Sequence, residues 1–255
     1  MRLPQEIYDL IIDHLHNDKL SLRCCALVSR GWVYRSQAQI FYFLIFGDKL
    51  LRRWLSTFSP TNERIHSLVK VLILYPSFYS FGDFMRLAEY APAFKNVEHL
   101  LINGRGSPYG TRQFPCIRWF SHLRDTLKTM KLEGVVADPR IIAGFPRLKF
   151  LLVGCSRLPS VHDTDEGDDI PTESDLRDAF KGSLEFDIYS WNFEVGRFVT
   201  AFADCPLGYD TIKIGVKSTG GKEFNRLISR CSNTLEVLHL NFKSERLRES
   251  GSAQS

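Results

Sequence analysis

Leu127–Leu132 reads LKTMKL and Leu148–Val153 reads LKFLLV. Each is a short apolar run opened by leucine and a charged residue, the length of a strand rather than of a core helix. The same texture recurs at Leu68–Leu74 (LVKVLIL), Val97–Ile102 (VEHLLI), Leu184–Tyr189 (LEFDIY), Thr211–Val216 (TIKIGV) and Leu235–Leu240 (LEVLHL). Four of the seven follow L-[KE]-x-x-x-[LVY] after a polar lead, so the likeness extends beyond hydropathy. Helical patterns lie between several of them, at Gly82–Tyr90, Arg112–Leu123, Ser174–Lys181, Phe193–Asp204 and Lys222–Cys231.

The strands are spaced by roughly 20 to 36 residues, a period that predicts strand-plus-helix units stacked as a solenoid. Each unit would bury its apolar side only against its neighbours, giving a parallel sheet backed by helices. A closed α/β domain without a true repeat is the alternative, because the period is uneven. His162 to Asp175 (HDTDEGDDIPTESD) reads as a long exposed acidic loop. The tail from Ser244 reads as disordered. No capping unit is evident after Leu235–Leu240, so the chain is expected to be either a short or an incomplete array.

Composition narrows the class. Of 255 residues, 44% are apolar and 24% charged, which fits a globular protein with a sizeable core. The net charge of +4 is unclustered, so nucleic acid is not an expected partner. The six cysteines, Cys24, Cys25, Cys116, Cys155, Cys205 and Cys231, form no C-x-x-C pair, and N-x-[ST] is absent. No disulfide framework or zinc site is expected. MRLPQEIYDL lacks the apolar stretch of a signal peptide, and the longest apolar run, Ile40 to Phe46, is far short of a membrane span. The expectation is a soluble intracellular protein, cytoplasmic or nuclear, without membrane contact.

Residues 1 to 46 have a different texture, wholly helical. Pro4 suits a first helical turn, with Glu6 at the positive end of the dipole. Ile7, Ile11 and Leu15 form a stripe, with Tyr8 and Ile12 beside it. Asn17 and Asp18 could cap a second helix carrying Leu20, Cys24, Leu27 and Val28 on one face, which Ser29, Arg30 and Gly31 close. A third helix follows from about Trp32, with Val33, Ile40, Phe41 and Leu44 in phase. Three short helices make a thin core, and large apolar groups must stay near the surface for a partner to cover.

This segment opens with Leu3-Pro4-Gln5-Glu6-Ile7 and closes with Cys25-Ala26-Leu27-Val28-Ser29-Arg30-Gly31-Trp32. It resembles the F-box motif, with its L-P-x-E-[IL] opening and later V-S-[RK]-x-W, and is especially similar to F-box proteins of mushroom-forming fungi. The region after it loosely resembles the leucine-rich repeats that often follow an F-box. The resemblance implies an α/β chain in three parts: an F-box module over residues 1–46, a leucine-rich-repeat-like solenoid over 47–243 and a disordered tail over 244–255. It implies a non-catalytic substrate-recognition subunit of an SCF-type (Skp-cullin-F-box) ubiquitin ligase. The alternative is an F-box protein that partners the adaptor outside any ligase. Leu3, Pro4, Ile7, Ile11, Leu15, Leu20, Val28 and Trp32 would then contact a Skp-family adaptor, which links to a cullin scaffold, while the repeat region holds a protein target.

Stripe residues such as Ile11, Leu15 and Val28 could equally be the module's own core. Leu3 and Pro4 precede the helix body and have less core to serve. Other chemistry is weakly signalled. His14 and His16 point to different faces, and adding Cys24 and Cys25 makes no recognisable metal set. NGRGSPYG, with Gly104, Gly106 and Gly110, has a turn's spacing rather than a dinucleotide loop's. No catalytic residue, cofactor or metal is expected. An enzyme on the α/β region would need a deep pocket with convergent polar groups.

Overall fold

The structure, a computed structural model, describes residues 4–75, 81–104, 119–135, 142, 144–154, 181–188, 193–205, 208–216 and 221–242. The expected helix over Ser174–Lys181 lies outside them except for Lys181, which begins a strand instead, and so do the acidic stretch, the tail, Gly106 and Gly110, and most of the expected helix over Arg112–Leu123.

All seven expected strands are present, as β2 (Val71–Leu74), β3 (His99–Asn103), β4 (Thr129–Glu133), β5 (Phe150–Gly154), β6 (Lys181–Ile188), β7 (Gly208–Val216) and β8 (Val237–Phe242). They are preceded by one that was not expected, β1 (Phe43–Phe46). The sheet order is β1 to β8 in sequence, and every neighbouring pair is parallel. The chain is α/β with an eight-stranded parallel sheet.

The register stacks like on like. Leu72, Leu100, Met130, Leu151, Leu184 and Ile212 form one row, and Phe46, Leu74, Ile102, Leu132, Val153, Phe186 and Ile214 the next. Because side chains alternate across a strand, both rows lie on one face, and every one of these residues is buried. Helices supply the other half of that core. They are α4 (Asp48–Thr57) with Leu51, Trp54 and Leu55, α6 (Phe81–Tyr90) with Phe84, Leu87 and Tyr90, α7 (Phe193–Ala203) with Phe198, Val199 and Phe202, and α8 (Gly221–Cys231) with Phe224, Leu227 and Cys231. In each, the apolar positions fall at three- and four-residue spacing, so one helical face meets the sheet.

The polar leads before the strands tie one unit to the next. Asn96 donates to the Ser67 carbonyl at 2.9 Å, Thr126 to the Val97 carbonyl at 3.0 Å and Thr234 to the Tyr209 carbonyl at 3.0 Å. The charged position two residues further on continues the pattern. Glu98 receives Lys70 at 2.9 Å from one side and Lys128 at 2.5 Å from the other.

Ahead of the sheet stand α1 (Gln5–His14), α2 (Lys19–Val28) and α3 (Arg30–Phe41), and a short α5 (Glu63–His66) precedes β2. Two expectations are corrected here. The third helix ends at Phe41, and Leu44 belongs to β1, so residues 43–46 of the expected helical module are already sheet. The run Ile40–Phe46 (IFYFLIF) is apolar at every position and carries no period, so pairing of Phe43–Phe46 with Val71–Leu74 decides its conformation. Likewise Arg30 and Gly31 do not close the second helix but begin the third. Ser29 alone breaks the chain, in extended conformation with φ −155° and ψ 156°.

Candidate partner-binding surface

The module is built on α3, against which α1 and α2 both pack. Gln5 helps dock α1, donating to Asp9 on its own helix at 2.9 Å and to the Gly31 carbonyl at 3.3 Å. At the far end Asp13 receives both Arg35 and, at 2.7 Å, Gln39 from α3. The Arg35 guanidinium beside Asp13 holds its carboxyl below the usual range, against partial burial, with Gln39 assisting. Tyr8 and Trp32 close the remaining gap, ring centroids 5.2 Å apart. Asp18 caps α2 as expected, accepting from the Leu20 and Ser21 amides at 3.1 and 3.0 Å.

This arrangement buries little. Among the described residues of 4–45, only Ile12, Leu22 and Ser36 are fully enclosed. Two aliphatic side chains at about 1.5–3 kcal/mol each are a small core for three helices. The rest of the apolar surface faces out. On α1, Ile7, Leu10 and Ile11 are 41%, 56% and 44% exposed; on α2, Leu20, Leu27 and Val28 are 71%, 87% and 65% exposed. They stand three and four residues apart on α1 and seven and eight apart on α2, one and two helical turns, so each helix carries an outward apolar stripe. Cys24 lies exposed within the second.

Of the residues expected to contact an adaptor, Pro4 at the N-cap of α1 and Ile7, Ile11, Leu20 and Val28 on the helices are exposed. Leu15 and Trp32 are half-buried, and Trp32 is partly committed to Tyr8. Leu3 lies outside the described residues. Leu10, Leu27 and Tyr34, the last 60% exposed on α3, join this surface without being among the adaptor contacts expected from sequence. Leu27 lies in the same stripe as Leu20 and Val28, and Leu10 stands three residues from Ile7, so spacing alone points to both.

The face of the sheet opposite that core is, among the described residues, a second partly exposed surface. Its apolar end is the start of the sheet, where Phe43, Ile45 and Tyr75 are 40%, 38% and 43% exposed. Further along, Lys131 stands 5.7 Å from the centre of the Phe150 ring, and Lys213 is exposed. At the far edge Val237 is 39% exposed on this face, while Leu238 and Leu240, 40% and 51% exposed, continue the core-face rows of Ile212 and Ile214.

Among the described residues no three His, Cys, Asp or Glu side chains come together in a metal-binding group. Cys205 and Cys231 are buried thiols, and burial pushes the Cys231 thiol up, away from the reactive thiolate. His16 is taken up locally, by the Asp13 carbonyl and Asn17, both at 2.9 Å. No described helix is long and apolar enough to cross a membrane.

A scan against protein-family models finds no match for this chain, and a search of curated proteins finds no relative.

Proposed function

We propose that the chain is a non-catalytic adaptor, the substrate-recognition subunit of an SCF-type ubiquitin ligase. Its N-terminal helices, an F-box module, would dock on a Skp-family adaptor, and its sheet region, a leucine-rich-repeat-like solenoid, would hold the target. The observation that carries the reading is the inverted burial of α1 and α2. Ile12 and Leu22 are enclosed, while Ile7, Leu10, Ile11, Leu20, Leu27 and Val28 lie open. Stripes of that kind on a thin module suit an obligate partner groove.

The sequential parallel order of β1 to β8 suits stacked repeats. The role of the chain is then proximity. One chain holding two proteins raises their effective concentration, and ubiquitin transfer happens on another subunit. The open sheet face, with Phe43, Ile45 and Tyr75 exposed at one end, is the surface offered to the target.

The test is co-purification with a Skp-family adaptor, followed by the same experiment with Ile7→Glu and Ile11→Glu combined. Adaptor recovered with the native chain and lost with the folded variant supports the reading. Equal recovery from both overturns it. A complex that contains the adaptor but never the cullin scaffold would favour the non-ligase form of the same protein.

A further inference from the structure

His66 ends α5 with its ring fully enclosed. Three aromatic side chains wall it in: Phe94 at 5.0 Å, Trp54 of α4 at 5.6 Å and Tyr90 of α6 at 5.9 Å between ring centroids. Neither ring nitrogen completes a hydrogen bond, and the indole N–H of Trp54 beside it is also without a partner. Burial holds the imidazole below its usual range, and the Asn62 carbonyl offsets only part of that. An imidazole that is neutral and enclosed is tolerable in such a box; an imidazolium is not.

The same aromatic residues join the helical module to the sheet. Trp54 touches Phe41, the last residue of α3, at 6.0 Å and Phe46 of β1 at 5.6 Å. Charged groups on the surrounding elements are turned outward. Glu63 pairs with Lys95 at 2.9 Å, Arg64 reaches Gln37 at 3.4 Å, and Arg52 of α4 pairs with Asp83 of α6 at 3.1 Å. Arg53, Arg86 and Glu89 are exposed. Tyr90 faces the ring but gives its hydroxyl to the Leu55 and Phe58 carbonyls, at 3.2 and 3.0 Å. His122 has an exposed side chain but meets the Phe94 and Trp119 backbones, and burial holds its imidazole below the usual range too, so it is the second histidine that the test must separate from His66.

We propose that His66 is a pH-sensitive latch: its protonation opens the aromatic junction and frees the helical module from the sheet. The latch does not depend on what binds either part. A depressed histidine favours the closed state above its unfolded value, near 6.5, and the advantage falls away as pH drops below it. At pH 5.5 the opening equilibrium rises by up to about tenfold, the ratio of charged to neutral imidazole in the open state.

Amide hydrogen exchange at pH 7.5 and 5.5, corrected for intrinsic rates, reads this directly on the full chain. Protection over residues 30–66 should fall by up to about tenfold in the native chain, while β5 and β7 keep theirs. His66→Phe should abolish the pH response, and His122→Gln should leave it intact. No change in the native chain, or the same fall in His66→Phe, overturns the proposal. Should His66→Phe fail to fold, the native imidazole is followed by NMR. A ring that charges near pH 6.5 with the junction still protected overturns the proposal, and one that charges only as protection is lost supports it.

Discussion

Leu20 and Leu27 on α2 separate a docking face from a misread core. Both are replaced by lysine, a residue of nearly equal helix propensity, so the helix itself is not penalised. Leu27 is 87% exposed and Leu20 71%, so the free chain has little apolar contact to lose there. Substitutions at such sites fall within about 0.5 kcal/mol each. The melting temperature of a chain this size should then move by no more than a few degrees, at about 2–4 °C per kcal/mol. Binding is affected differently. A leucine covered by a partner contributes about 1.5–3 kcal/mol, so losing two costs about 3–6 kcal/mol. At about 1.4 kcal/mol per tenfold, the affinity for a Skp-family adaptor should fall by a factor on the order of a hundred or more. Isothermal titration of native and doubly substituted chain, with melting curves on the same samples, measures both quantities. Unchanged affinity with an intact fold would refute the docking face. A melting temperature lowered by ten degrees or more would refute the exposure on which the argument stands.

Ile12→Ala should do the reverse, removing a fully enclosed side chain at a cost of about 2–5 kcal/mol in urea unfolding while leaving the outward stripes unaltered. Glu98 gives a pH dependence: Lys128 and then Lys70 hold its carboxyl at about 2, against about 4.3 in the unfolded chain. Its contribution is therefore present above the unfolded value and lost as pH falls from there toward 2; with both lysines partly solvated it amounts to about 1 kcal/mol. Glu98→Gln should flatten that part of the acid unfolding curve, measured by circular dichroism. Gly182→Ala should destabilise by about 1–3 kcal/mol or more in the same urea assay. Gly182 holds φ at +152°, where β6 shifts register against β7, and an added methyl would press into the Lys149 backbone.

Seven strands were legible because an apolar run of strand length bounded by turns has few other readings. β1 was not, because IFYFLIF carries neither a two-residue nor a 3.6-residue period and its partner lies some thirty residues away in sequence. The polar leads were legible as a pattern but not as a device. Nothing in the letters says that Asn96, Thr126 and Thr234 each reach back to a carbonyl of the preceding unit. The helical module shows the deeper limit. Periodicity assigns side chains to faces but not the faces to inside or outside. On α2, Leu20, Cys24, Leu27 and Val28 make the longer stripe, and Leu22 stands opposite it almost alone. Pattern strength would bury the stripe and expose Leu22, yet Leu22 is enclosed and the stripe lies open. The reason is supply: α3 offers one helix's surface to two others and spends part of it on Asp13, through Arg35 and Gln39. With so little apolar surface to share, the smaller set goes inside and the larger remains outside. A helix whose stronger stripe faces water in the isolated chain is the pattern expected of a segment shaped by a second protein's surface.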